Sequence, residues 1–204
     1  MRRLICLLLL AAWWSLAGPG AAVAQSAPPA TKREFRGVWL CTVHNIDWPS
    51  EPGLSTAQQK AELVALLDRA QDIGLNAIVF QVRPTGDALY PSKTEPWSAW
   101  LTGQQGRAPS PAWDPLEFAI EQSHARGMEL HAWINPFRAH IVRKGATPAP
   151  NHISKRRPEF VREYGDHLWI DPGVPGAQDY ALDVIREIAS NYDIDGFHID
   201  DYFY

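Results

Sequence analysis

The residues best suited to chemistry stand at the end of the chain, in Asp195-Gly196-Phe197-His198-Ile199-Asp200-Asp201-Tyr202-Phe203-Tyr204. Alternate residues of a strand face opposite ways. Phe197 and Ile199 therefore share an apolar face, and His198 and Asp200 share the other. In a parallel strand covered by helices, the apolar face meets the helices. The His198/Asp200 face then points into the sheet interior or a barrel lumen. Asp200 falls at the carboxyl end, where such folds place their chemistry. Two adjacent carboxylates followed by three aromatics make a poor core, which marks Asp200 and Asp201 as a candidate site. The plain alternative is that the two aspartates cap the next loop. His198 and Asp200 also have a spacing that suits a metal, with Asp201 or His44 joining them. No His-x-His or Glu-x-x-His cluster accompanies them.

Further polar residues fall where other strands should end. His44 and Asp47 follow the first, and Gln81, Arg83 and Asp87 lie at or after the second. Asn135 and Arg138 lie at or after the third. Trp133 alternates with His131 and Asn135, so the three share a face. Trp39 also lies on a strand. Carboxylates, amides, arginines and Trp or Tyr rings are the usual lining of a sugar site: rings cover the apolar faces of pyranoses and polar groups take the hydroxyls. Trp133 would serve equally well as core. Cys41 sits in an apolar strand pattern and reads as a packed residue rather than a nucleophile.

The elements that must position these residues alternate. Glu34–Val43 reads as the first strand, followed by a loop through His44-Asn45-Ile46-Asp47-Trp48-Pro49 to Leu54. Ser55 and Gln58 have capping-box spacing. Leu63, Leu66, Leu67, Ala70 and Ile73 give a helical apolar face that ends at Gly74. Leu75–Val82 is the second strand. The stretch from Pro84 to Trp113 is expected to be a long functional loop. It carries Asp87, Tyr90, Trp97 and Trp100, which are expected to wall a cleft. Asp114-Pro115-Leu116-Glu117 opens the next helix, Gly127 closes it, and Met128–Asn135 is the third strand. Pro136–Gly173 is a second long loop, with a possible short helix at Pro158–Tyr164 and an extended piece at His167–Ile170. A third helix over about Gly176–Tyr192 leads into the fourth strand.

This β-α-β-α-β-α-β order requires parallel strands. Tight helix-to-strand turns and long aromatic strand-to-helix loops are the asymmetry of a (β/α)8 barrel. The expected fold class is therefore α/β, the N-terminal half of such a barrel. The chain reads as a piece of a longer protein, unstable alone, that stops after strand four. The alternative is a complete open four-stranded domain.

The 204 residues carry a formal net charge of −4, with 46% hydrophobic residues and nine tryptophans. The mildly acidic balance and the lack of a long basic run argue against a nucleic-acid partner. Arg2 and Arg3, the apolar run Leu4–Leu16 and the Ala22-Val23-Ala24 site predict a secretory signal peptide over 1–24. Residues 25–33 form a linker, and 34–204 the barrel domain. Mature protein would begin near Gln25, in the periplasm or outside the cell, without stable membrane insertion. A retained anchor is the alternative, although a span needs about 20 apolar residues.

Five ordered motifs carry a resemblance over Glu34–Tyr204: Glu34-Phe35-Arg36-Gly37-Val38-Trp39; Asn45-Ile46-Asp47-Trp48-Pro49; Asn76-Ala77-Ile78-Val79-Phe80-Gln81-Val82-Arg83-Pro84; Ala132-Trp133-Ile134-Asn135-Pro136; and Asp195 to Tyr202. Together they resemble the glycosyl-hydrolase-like-ten family. The resemblance implies a barrel acting on a glycan, such as a cell-envelope polysaccharide or a peptidoglycan strand. No cofactor and no metal are expected. Asp195–Asp200 is similar, more distantly, to the fourth-strand motif of the alpha-amylase superfamily, whose last Asp is the nucleophile. His198 stands where that superfamily has Arg. The resemblance thus implies Asp200 as the catalytic carboxylate. Trp39, Asp47, Arg83, Asp87, Tyr90, Trp97, Trp133, Asn135, Arg138, His198 and Asp201 are the candidate substrate-binding residues. Glycoside hydrolysis needs two carboxyl groups, and the general acid is expected on a later strand, so this chain alone should be inactive. Two other readings stay open: a glycan-binding barrel without catalysis, and a metal-dependent hydrolase using His198 and Asp200.

Overall fold

The structure is a computed structural model that describes residues 34–142 and 147–200. The signal-peptide and linker assignments, and Asp201, lie outside the described residues. Four strands form a parallel sheet in chain order: β1 (Gly37–Leu40), β2 (Ala77–Arg83), β3 (Glu129–Ile134) and, last in the chain, β7 (Gly196–Ile199). Three long helices connect them: α1 (Thr56–Asp72), α3 (Pro115–His124) and α5 (Ala177–Asn191). A short α2 (Ala99–Thr102) lies in the loop after β2.

Local sequence sets the helix starts. Ser55 accepts from the Gln58 amide and Gln58 reaches back to Ser55, so two orphan donors are satisfied at once. The Asp114 carboxylate accepts from Leu116 and Glu117, and Pro115 takes the first turn, where its missing N–H costs nothing. Each helix then buries one stripe on the same face of the sheet. Leu63 and Leu67 of α1, Leu116 and Ile120 of α3, and Val184 and Ile188 of α5 form one core with Ile78, Phe80, Leu130 and Ala132. Each fully buried Leu or Phe contributes about 1.5–3 kcal/mol. Trp48 anchors the loop after β1 in this core, with its indole N–H on the Gln59 carbonyl at 2.9 Å.

Sequential strand order with all three helices on one face distinguishes this sheet from a doubly wound one, which carries helices on both faces and reverses its order. The winding is that of a (β/α)8 barrel, of which four strands make one half. The opposite, lumen face carries Trp39, Val79, Gln81, His131, Trp133 and His198 in register. Its floor is closed by His131 lying over Gly196. A Cβ on Gly196 would stand 2.5 Å from the His131 Nδ1, so only glycine fits under the ring.

The second long loop departs from expectation. It folds as a three-stranded antiparallel sheet, in which β6 (His167–Ile170) pairs with both β4 (Arg138–Ile141) and β5 (Val161–Tyr164). The piece read as a possible helix at Pro158–Tyr164 is a 3-10 turn followed by β5. Ala139, Ile153, Phe160, Ile170 and Tyr180 give this subassembly a separate small core. A short helix, α4 (Ile153–Arg156), lies between β4 and β5 in the chain. β1 is shorter than expected, and the chain leaves it through a 3-10 turn in which His44 and Asn45 take positive φ.

Candidate active site at the carboxyl ends of the strands

At the carboxyl edge, side-chain amides continue the sheet after its backbone ladder stops. Gln81 Oε1 accepts from the Thr42 and Val43 amides, both at 2.9 Å. Gln81 Nε2 donates to Asn135 Oδ1 at 2.7 Å. Asn135 Nδ2 donates to the Asp200 carbonyl at 2.6 Å. Both amide side chains are fully buried, so each polar atom left without a partner would cost about 1–3 kcal/mol. The row ties all four strand ends together and fixes the backbone that carries Asp200.

Below this edge the lumen wall is aromatic. Trp39, Trp133 and His198 meet pairwise, with ring centroids 6.0, 5.6 and 5.9 Å apart. Trp39 is 62% exposed and offers its ring to solvent, whereas Trp133 is 7% exposed. The His198 Nε2 and Trp133 Nε1 are buried with no hydrogen-bond partner among the described residues. Asp200 is exposed at the end of β7. Its carboxylate shares a neighbourhood with Cys41: burial, then the charge of Asp47, raises the Cys41 thiol, and Asp200 adds to the rise while Arg138 opposes it. Cys41 is therefore held as a thiol, and its S–H points at Gln81 Oε1 at 3.3 Å. Asp47 is pinned by the Cys41 amide at 2.8 Å. Trp39, Asp47, Trp133, Asn135, Arg138, His198 and Asp200 are thus gathered around one edge.

Other candidates point elsewhere. Arg83 is 1% exposed and enclosed. Its Nε and Nη2 donate to Glu95 Oε1 at 2.9 and 2.7 Å, and its Nη1 donates to the Asn135 carbonyl. Tyr180 of α5 donates to the same Glu95 oxygen at 2.6 Å. With Glu95 beside it, Arg83 stays charged despite burial and has no surface for a ligand. A buried guanidinium must be paired, and Glu95 is the partner that the loop supplies. Tyr90 is likewise core, 1% exposed and edge-on to Tyr192 at 5.6 Å. Trp97 packs against the main core, and its loop pairs through the Ala88–Trp97 bridge. These two do not wall a cleft.

Asp87 does line one, together with Trp100, and the cleft measures about 520 Å³. Asp87 is buried, which lifts its carboxyl to about 6 against the hydrogen bonds from Gln105, Ser98 and Thr85. His140 lines the same cleft, and burial and His152 push it down to about 4. Sequence reasoning missed Glu95, His140, His152 and Gln105. No local pattern marks a glutamate in Ser92-Lys93-Thr94-Glu95 as buried, and His140 is placed by pairings about thirty residues away. No three His, Cys, Asp or Glu side chains among the described residues are grouped to hold a metal ion, and no described helix is long and apolar enough to cross a membrane.

A family profile described as Glycosyl hydrolase-like 10 matches residues 34–204. "Glycosyl hydrolase YngK" of Bacillus subtilis (strain 168) is 46% identical over 173 residues, which cover 84% of this chain and 34% of that protein. "Glycosyl hydrolase DigH" of Escherichia coli (strain K12) is 38% identical over 203 residues, covering 89% and 45%. The chain thus spans less than half the length of these relatives. Among solved structures, the alpha-L-fucosidase isoenzyme 2 from Paenibacillus thiaminolyticus superposes with a TM-score of 0.52 at 18% identity, over 83% of this chain and 24% of that one. A hypothetical protein from Ruminiclostridium thermocellum ATCC 27405 superposes at 0.50 and 15% identity, over 73% and 75%. Both show a shared fold.

Proposed function

The chain belongs to the glycosyl hydrolase-like 10 family, and from that premise we propose that it supplies half the site of an exported glycoside hydrolase. The substrate is a polysaccharide, with a cell-envelope or peptidoglycan glycan as the best fit to the proposed export. Asp200 is the catalytic carboxylate. The observation that carries this reading is its placement: the Asn135 carboxamide holds the Asp200 backbone above a wall of Trp39, Trp133 and His198. An oxocarbenium-like transition state needs negative charge beside the anomeric carbon, and a carboxylate on a fixed strand provides it without reorganisation. Trp39 covers the apolar face of a sugar ring, with the buried Trp133 packed behind it at 6.0 Å. The second carboxyl that the reaction requires is assigned to a residue outside 34–200.

The test is Asp200→Asn in the full-length protein, with purified envelope glycans as substrates. Turnover should fall by about 10²-fold or more, with the melting temperature close to the parent's. Wild-type turnover in that variant would overturn the assignment. The exposed Trp39 ring supports a second reading, a glycan-binding barrel without catalysis. Affinity for a glycan without any product, across the purified envelope glycans, would establish it. The export proposal rests on Arg2, Arg3, the leucine run and Ala22-Val23-Ala24. N-terminal sequencing of exported protein should begin at or near Gln25, and an intact Met1 would count against it.

A further inference from the structure

We propose that the cleft between the loop after β2 and strand β4 is a second sugar subsite, which takes an uncharged pyranose unit of the same glycan chain that reaches Asp200. The inference rests on the glycan reading above and adds the position and charge class of a distal unit. The cleft holds about 520 Å³ and is lined by Thr85, Asp87, Trp100, Gln105, His140 and Pro148, among others. That volume lies within the ordinary range of ligand sites. Trp100 offers a ring for the apolar face of a sugar. Asp87 and Gln105 are already joined at 3.1 Å, which fixes both beside the cleft.

Two observations single this cleft out. The His140 Nε2 is a buried polar atom with no hydrogen-bond partner among the described residues. Such an atom is costly unless a ligand or water completes it. Among the described residues the lining contains no lysine or arginine. Near neutral pH His140 is uncharged, because burial lowers it. Among the described lining residues the formal charge is then the Asp87 carboxylate alone, which disfavours carboxylated or phosphorylated sugars.

Strand β4 joins the two positions. Arg138 and His140 are both half-buried residues of it, with a register shift between them. Arg138 belongs to the neighbourhood of Cys41 and Asp200. His140 stands two residues further on, roughly 7 Å along a strand. A bound chain following β4 would therefore pass from Asp200 into the cleft.

The experiment uses the full-length protein carrying Asp200→Asn and titrates it calorimetrically. The probes are N-acetylglucosamine oligomers of increasing length and the same oligomers oxidised at C6 to carboxylates. Affinity should rise with length until the cleft is filled. Trp100→Ala should lower affinity for the longer oligomers about tenfold while leaving the shortest unchanged, and Trp100→Phe should restore most of the loss. His140→Ala should show the same length dependence. The carboxylated oligomers should bind more weakly than their neutral parents once they are long enough to enter the cleft. Equal effects of Trp100→Ala at every length, preference for the carboxylated series, or no binding of any oligomer would overturn the subsite. If the length pattern holds while Asp200→Asn still turns over glycan, the subsite stands and the Asp200 assignment falls.

Discussion

The Asn135 carboxamide donates to the backbone carbonyl of Asp200 at 2.6 Å, so the residue proposed to do the chemistry is held by its main chain. Its carboxylate is left to face the open edge. Asn135→Ala removes this bond and also strands Gln81 Nε2. With two buried groups affected, stability should drop by about 2–4 kcal/mol in denaturant titrations of the full-length protein. Turnover should fall further than the loss of folded protein explains. An Asn135→Ala protein with parental turnover per folded molecule would show that the main-chain anchor is dispensable.

Arg83 and Glu95 should behave as a structural pair. Glu95→Gln leaves a buried guanidinium without a countercharge, and the one remaining acceptor oxygen must serve both Arg83 and Tyr180. The expected cost is about 3–5 kcal/mol. Glycan affinity of the protein that remains folded should be unchanged, as measured by calorimetry below the melting transition. A selective loss of affinity without loss of stability would return Arg83 to the binding site.

Gly86 has φ of +56°, and a Cβ there would stand 2.7 Å from the Ala139 carbonyl and 2.8 Å from the His152 Nε2. That nitrogen hydrogen-bonds the same carbonyl at 2.9 Å. Gly86→Ala therefore meets both backbone strain and a clash, at about 1–3 kcal/mol for the strain alone. Thermal melts should show the drop, and Gly74→Ala, where a Cβ meets nothing within 4 Å, should show only the conformational part.

Stability should depend on pH in two opposed ways between pH 4 and 6.5. His140 sits near 4 and His152 is also lowered, both first by burial. Below the ordinary histidine value of about 6.5 the unfolded chain protonates before the folded one, so acidification costs stability until the folded values are reached. Asp87 sits near 6, raised by burial. Below 6 the folded state takes up its proton while the unfolded carboxyl remains ionised down to about 3.9, so acidification returns stability. In denaturant titrations at pH 7, 5.5 and 4.5, His140→Gln should lose less stability on acidification than the parent, and Asp87→Asn should lose more. Identical slopes in all three would rule out both shifts.

How much of this was legible can be read from particular residues. Ser55 with Gln58 and Asp114 with Pro115 announce their helices because caps are local chemistry. The alternation of Phe197, His198 and Ile199 announces faces because a buried strand has only two. The pairing of β4 with β6 was not legible. Each strand has four residues, and their partnership spans a gap that no local pattern bridges. Tyr90 and Trp97 look like cleft aromatics by type, yet their burial is decided by Tyr192 and the main core. Arg83 looked available because Glu95 lies in a proline-rich stretch with no periodicity to reveal its burial. The cluster of Trp39, Trp133 and His198 was legible in part, since strand parity fixed their common side but not their mutual distances.

The amide row has a sense of direction. At one end the Thr42 and Val43 N–H groups can face only an oxygen, which orients Gln81. At the other end the Asp200 carbonyl can face only an N–H, which orients Asn135. Between them every carboxamide dipole points the same way, with its positive end toward β7. Aligned hydrogen bonds polarise one another, so the row acts as a short fixed dipole aimed across the sheet at the strand that bears Asp200. Reversing one member would require reversing all of them. Gln81 is therefore electrostatically upstream of Asp200, although a whole strand separates the two.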